Sequence, residues 1–218
     1  MAYKAIIVGA SGLIGSNLLQ QLLQQPDYDE VLIMVRKGLQ ITHPKLKQAI
    51  VNFNALDKYA ALITGHALFC CLGTTNHKTP DKAVYRKIDH DYPVQLAQLA
   101  SQKGVEEFHL VSAVGANASS SQFYLKTKGE TERDVKKTGV KALHIYQPSF
   151  LVGDRADARL GEKIAGAVLF VLDPLLIGGL KKFRSIKAST VARAMLNQSL
   201  INKDGIFVHP SDQIKELA

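Results

Sequence analysis

The chain begins with a short apolar run, Ala5-Ile6-Ile7-Val8, breaks at Gly9, and resumes from Ser16 to Gln25 with leucines at helical spacing. A second apolar run, Val31-Leu32-Ile33-Met34-Val35, predicts a second strand, so the opening reads as strand, helix, strand. The alternation continues. Ala49 to Phe53 predicts a third strand and Asp57 to Ile63 the helix after it. Ala67 to Leu72, apolar throughout and bounded by Gly65 and Gly73, has the pattern of a strand covered on both faces. Asp81 to Lys103 predicts a long helical region, with Val94, Leu96, Ala97, Leu99 and Ala100 on one side and Pro93 at a start or kink. Phe108 to Ser112 predicts a fifth strand, Gly115 to Ser121 a small-residue loop, Gln122 to Lys137 a helix, and Ala142 to Tyr146 a sixth strand. Strands alternating with helices in this way predict an α/β fold built on a doubly wound parallel sheet.

Beyond Pro148 the alternation loosens into a mixed-charge loop (Asp154 to Glu162), an apolar stretch (Ile164 to Leu180), a helix (Ala188 to Leu200), a short strand (Ile206 to Val208) and a terminal helix. No linker composition separates this part, so residues 1–218 are expected to form one domain, with 148–218 as a small substrate-covering lobe. The apolar stretch is interrupted by Asp173-Pro174 and Gly178-Gly179, which argues against a membrane span and for a helix pair. If exposed, it would be a face for a homodimer or another protein.

Composition narrows the function classes. A 218-residue chain with 46% hydrophobic residues can bury a substantial core. Its formal charge of +8, from 27 basic and 19 acidic residues, suits an anionic partner such as a nucleotide cofactor. The basic residues are scattered, and pairs such as Lys136-Lys137 and Lys181-Lys182 lack interleaved aromatics, which argues against nucleic acid. The two cysteines, Cys70 and Cys71, are neighbours whose side chains would leave a strand on opposite faces, so they are expected to be buried thiols. With no signal-peptide pattern at the start, a reducing, cytoplasmic location is the expectation. The seven histidines have no paired ligand spacing, and no metal site is expected.

Three features carry chemistry. Gly9-Ala10-Ser11-Gly12-Leu13-Ile14-Gly15 joins the first strand to the first helix with the glycine spacing of a dinucleotide-binding turn, where phosphate must approach backbone N–H groups. At the end of the second strand, where NAD-binding chains usually carry an acid for the ribose 2′-hydroxyl, this chain has Arg36-Lys37. Two cations attract a 2′-phosphate, and a guanidinium can grip it with paired bonds, so NADP(H) is favoured over NAD(H). Tyr124 and Lys128, four apart in a predicted helix, share a face. An ammonium beside a phenol favours phenolate and suits the tyrosine to proton transfer at a substrate oxygen.

These features, together with Cys70-Cys71-Leu72-Gly73-Thr74-Thr75, Val111-Ser112-Ala113-Val114-Gly115-Ala116, the run Tyr124 to Glu130, and Pro148 to Glu162, resemble an atypical, compact short-chain dehydrogenase/reductase. The likeness is closer to the oxidoreductase-like group that includes the human Tat-interacting protein and small bacterial relatives. The resemblance implies an NADP(H) pocket formed by Gly9, Ala10, Ser11, Gly12, Leu13 and Ile14, by Arg36 and Lys37, by the third-strand end near Asn52, by Leu72, Gly73 and Thr74, and by the Pro148 loop. It implies Tyr124 and Lys128 as the catalytic pair, also in contact with the cofactor. In the wider family a second hydroxyl after strand five completes the group. Here that place is Ala113, leaving Ser112 or one of Ser119 to Ser121 to serve. A frequent asparagine is Asp89 here, and a frequent arginine before Pro148 is Gln147.

The leading expectation is an NADP(H)-dependent oxidoreductase acting on a small carbonyl or alcohol. The alternative is an NADP(H)-sensing binding protein with little turnover. A nucleotide-sugar isomerase is weaker, because the small carboxyl-terminal lobe leaves little room for that substrate.

Overall fold

The structure, a computed structural model, describes residues 3–152, 173 and 176–218. Its centre is a seven-stranded sheet made of β1 (Tyr3–Val8), β2 (Tyr28–Val35), β3 (Leu46–Ile50), β4 (Ala67–Cys70), β5 (Glu107–Val111), β6 (Ala142–Gln147) and β9 (Gly205–Pro210). The strand order is β3-β2-β1-β4-β5-β6-β9, and every pairing is parallel. This is the doubly wound parallel sheet expected from the alternation. Two short strands, β7 (Leu151–Val152) and β8 (Ile186–Lys187), pair beside it.

The central strands β1 and β4 are buried on both faces, as their unbroken apolar sequences require. On one face lie α1 (Leu13–Gln24), α5 (Ala188–Gln198) and α6 (Ser211–Glu216), whose leucines, alanines and Met195 cover Ala5, Ile7 and Phe69. The other face is covered by the 3₁₀ segment Phe53–Leu62, by α3 (Tyr92–Gln102), and by α4 (Phe123–Val135). At the edges the pattern changes: β3 exposes Lys47 and Gln48, and β9 exposes Ile206 and Val208.

Several boundaries differ from the sequence expectation. The third strand ends at Ile50, because Asn52 turns the chain into the 3₁₀ segment by accepting the Asn54 N–H. The long helix is α2 (Lys82–Arg86), a π-turn (Lys87–Asp91) and α3. Pro93 lacks the N–H that an α-helix would offer the Asp89 carbonyl, and the Thr131 hydroxyl on α4 donates to that carbonyl instead, at 2.8 Å. Cys70 is buried, Cys71 partly so, and both are free thiols. Burial pushes the Cys70 thiol up to about 12.

Of residues 148–218, α5 packs beside α1, and β9 extends the sheet next to β6. The Asp154 to Glu162 loop and most of the expected apolar helix pair lie outside the described residues. At its end, Gly178–Phe183 forms a 3₁₀ turn. No helix among the described residues is long and apolar enough to cross a membrane.

Candidate active site

In a parallel sheet all carboxyl ends share one edge. From that edge leave Gly9–Ile14 after β1, Arg36 and Lys37 after β2, Asn52 after β3, Leu72–Thr74 after β4, Ser112 after β5 and Pro148 after β6. The strand order reverses between β1 and β4, where connections depart to opposite sides and leave a crevice.

The glycine turn is packed so tightly that side chains are excluded. Gly9 has a φ of +89°, and a Cβ there would stand 2.6 Å from the Cys71 carbonyl oxygen. A Cβ on Gly15 would stand 2.2 Å from the Gly9 carbonyl oxygen. Ala10 and Ile14 are buried beneath the turn, whereas Ser11 and Gly12 face out. Gly12 caps α1 without a side-chain hydrogen bond, and no acid sits in the first turn. The helix therefore meets solvent with uncapped N–H groups and the positive end of its dipole, a donor set that fits a pyrophosphate.

One strand over, Arg36 and Lys37 are exposed directly after β2, with no carboxylate between them and Val35. Asn52 is exposed, its N–H donating to the Tyr59 hydroxyl at 3.2 Å. Pro148 is buried, its carbonyl accepting the Val114 N–H at 3.0 Å.

Tyr124 and Lys128 lie on one face of α4, as their spacing predicts. Tyr124 is 41% exposed. Lys128 is buried, and its Nζ stands 2.9 Å from Oδ1 of the buried Asp89. The other carboxylate oxygen accepts the Thr74 N–H at 2.8 Å, tying the pair to the loop after β4. Tyr85 braces the same loop by donating to the Thr74 carbonyl at 3.2 Å. Burial works most strongly, to lower the Lys128 ammonium, but the Asp89 carboxylate and the Tyr124 oxygen together outweigh it, and the net direction is up. The Tyr124 phenol is also raised, by burial first, with Lys128 pulling down and Asp89 pushing up. The spacing alone led to the opposite expectation for the phenol. The difference is burial first, which outweighs the pull of Lys128, with Asp89 adding to it in the same direction.

Ser112 is buried, and its hydroxyl donates to the Glu132 carboxylate, which also accepts Gln147 Nε2 at 2.9 and 3.0 Å. Ala113 is buried, Ser119 and Ser121 are exposed, and Ser120 Oγ accepts the Gln122 N–H at 3.1 Å. Sequence reasoning did not single out Thr131, Glu132 or Tyr85. Glu132 had a signal, since it continues the i, i+4 series from Tyr124 and Lys128. Among the described residues, no group of three or more His, Cys, Asp or Glu is arranged to hold a metal ion.

The family described as NAD(P)H-binding matches residues 9–167. The rat protein HTATIP2 is 36% identical over 198 residues, covering 89% of this chain and 80% of its own length. The mitochondrial protein FMP52 of Saccharomyces cerevisiae is 35% identical over 160 residues, covering 72% and 69%. Among solved structures, Bordetella bronchiseptica WbmH in complex with NAD+ superposes with a TM-score of 0.73 at 16% identity, over 96% of this chain and 75% of that one. Thermotoga maritima UDP-glucose 4-epimerase with UDP-glucose has a TM-score of 0.68 at 16% identity, over 98% and 80%. At such identity the likeness to these two is one of fold.

Proposed function

The chain belongs to the NAD(P)H-binding family, and from that premise we propose that it is an NADP(H)-dependent oxidoreductase of the short-chain dehydrogenase type, acting on a small carbonyl or alcohol. The observation that carries this reading is the convergence, on one sheet edge, of an uncapped glycine turn, two exposed cations and the Tyr124/Lys128 face of α4. When bound, the dinucleotide supplies or accepts hydride. Gly9, Ala10, Ser11, Gly12, Leu13 and Ile14 hold its pyrophosphate through backbone N–H groups, and Arg36 and Lys37 hold the 2′-phosphate. Asn52, Leu72, Gly73, Thr74 and Pro148 line the remainder. Tyr124 exchanges a proton with the substrate oxygen, and Lys128 contacts the nicotinamide ribose. Ser112 is the remaining hydroxyl of the group; its proton goes to Glu132, so its oxygen would serve the substrate side only as an acceptor. The chain works as a single domain. FMP52 is named mitochondrial; for this chain a cytoplasmic location is proposed, in keeping with its two free thiols.

Calorimetric titration of NADPH and NADH tests the cofactor assignment. NADPH is expected to bind more tightly, and Arg36→Ala to weaken NADPH by about tenfold or more while leaving NADH nearly unchanged. A preference for NADH would sink the role given to Arg36. Tyr124→Phe is expected to keep NADPH affinity and lose most turnover of any carbonyl that the parent reduces.

A second reading, an NADP(H) sensor that acts through a partner, is favoured by one observation: the Ser112 hydroxyl is committed to Glu132 and Ala113 offers none. Exposed Ile177, Leu180 and Phe183 would then form the partner face, for a second copy or another protein. Tight NADPH binding without hydride transfer across a broad carbonyl panel would select this reading.

A further inference from the structure

The electrostatic surroundings of Tyr124 bear on the direction in which the proposed site works. Three titratable groups pack around the Tyr124/Lys128 face of α4: Asp89 from the π-turn, Tyr85 from α2 and Cys70 from β4. The Tyr85 phenol and the Cys70 thiol are both raised, chiefly by burial, and so stay neutral near neutrality. Asp89 is therefore the one anion of that set. Its carboxylate is 1% exposed: Oδ2 accepts the Thr74 N–H at 2.8 Å, and Oδ1 stands 2.9 Å from Lys128 Nζ as an ion pair. Its backbone is fixed by Thr131. Further along α4, Glu130 pairs with Arg86, and Glu132 is turned to Ser112 and Gln147.

Resting on the oxidoreductase reading, we infer that Asp89 closes Lys128 into a buried ion pair, so that Tyr124 meets its substrate as a protonated phenol and the site is built for carbonyl reduction, with alcohol oxidation disfavoured near neutral pH. A lysine free of counter-charge would lower the phenol. A lysine already neutralised within 3 Å presents a dipole instead, whose field at Tyr124 is weaker and of mixed sign. In the reductive step the C=O π bond is replaced by a C–H bond, formed with hydride from the reduced dinucleotide, and an O–H bond, formed with the Tyr124 proton. The phenolate then recovers a proton from water, which reaches it because the residue is two-fifths exposed. Oxidation needs the phenolate at the start, and this site does not stabilise it. Asp89 is thus a positioning residue acting through Lys128.

The test reads Tyr124 directly and needs no substrate. The full chain is labelled with [¹³Cζ]tyrosine, the Tyr124 resonance is assigned by its loss in Tyr124→Phe, and its titration is followed by NMR. In the unaltered chain the midpoint is expected at or above the ordinary phenol value of about 10. Asp89→Asn, which removes the anion and releases the ammonium, is expected to lower it by about one unit or more. A midpoint below about 9 in the unaltered chain overturns the inference, as does an Asp89→Asn protein that is folded by circular dichroism with the midpoint unmoved. Should Asp89→Asn not fold, the unaltered chain's midpoint decides. Failure of the same preparation to bind NADPH would overturn the functional reading and leave the midpoint intact, so the two failures are distinguishable.

Discussion

Gly129 shows how one missing methyl group shapes the site. It lies on α4 between Lys128 and Glu130, and a Cβ there would stand 2.2 Å from the Ala118 nitrogen and from the Asn117 carbonyl carbon. Those are backbone atoms, which cannot swing aside as a side-chain end can. Gly129→Ala is therefore expected to lower stability by about 1–3 kcal/mol or more and to displace the loop after β5. Gly179→Ala, which meets nothing within 4 Å among the described residues, is the control, expected to leave stability nearly unchanged. Urea midpoints for the two variants check this, and equal midpoints would refute the packing argument. Gly129 has no distinguishing mark in the sequence, since its need for glycine comes from a loop folded back from Asn117. The turn was legible because its glycine spacing is local, as is the approach of Gly15 to Gly9, although Gly9 itself is also closed in by the Cys71 backbone after β4.

The π-turn between α2 and α3 places Asp89, and two other residues make that turn affordable. Pro93 withholds one hydrogen bond, and Thr131, on a neighbouring helix, supplies another within 2.8 Å of both the Asp89 and the Thr127 carbonyls. Thr131→Val keeps the shape and removes the donor. It is expected to cost about 1–2 kcal/mol, because the Asp89 carbonyl loses that partner in a buried place. Chemical denaturation checks the value, and a change within error would mean that the turn holds without Thr131. A helix with Pro93 at a start or kink could be expected from sequence, but the turn's type could not. The deciding contact crosses from α4, far along the chain. Likewise the i, i+4 spacing placed Tyr124 and Lys128 on one face but was silent on burial and on Asp89, which together raise the phenol, and so had the wrong sign for it.

Across the whole sheet, strand register assembles a buried polar row that no local spacing announces. His109 on β5, His144 on β6 and His209 on β9 stack face to face, with His144 Nδ1 3.1 Å from His209 Nε2. His109 lies between Glu107 at 2.9 Å and the Tyr146 hydroxyl at 3.1 Å. Burial holds His109 well below the usual imidazole value, His144 at about 3, and His209 also low. All three are neutral when folded and take up protons when unfolded below about pH 6.5, so their contribution is complete above that pH and lost as pH falls towards the depressed values. Glu107, raised by burial, opposes this in part at lower pH. Stability is expected to fall by roughly 2–4 kcal/mol between pH 7 and pH 5.5, measurable by urea unfolding at both, and a flat profile would refute it. In the linear chain these histidines are scattered, with no spacing that links them. What could be read from the linear chain were the alternating elements, the parallel sheet, the glycine turn and the Tyr124/Lys128 face, all governed by periodicities of a few residues. The Asp89–Lys128 ion pair, the Ser112–Glu132–Gln147 knot and the histidine row arise where strands and helices distant in sequence come into register, and packing in three dimensions sets that register.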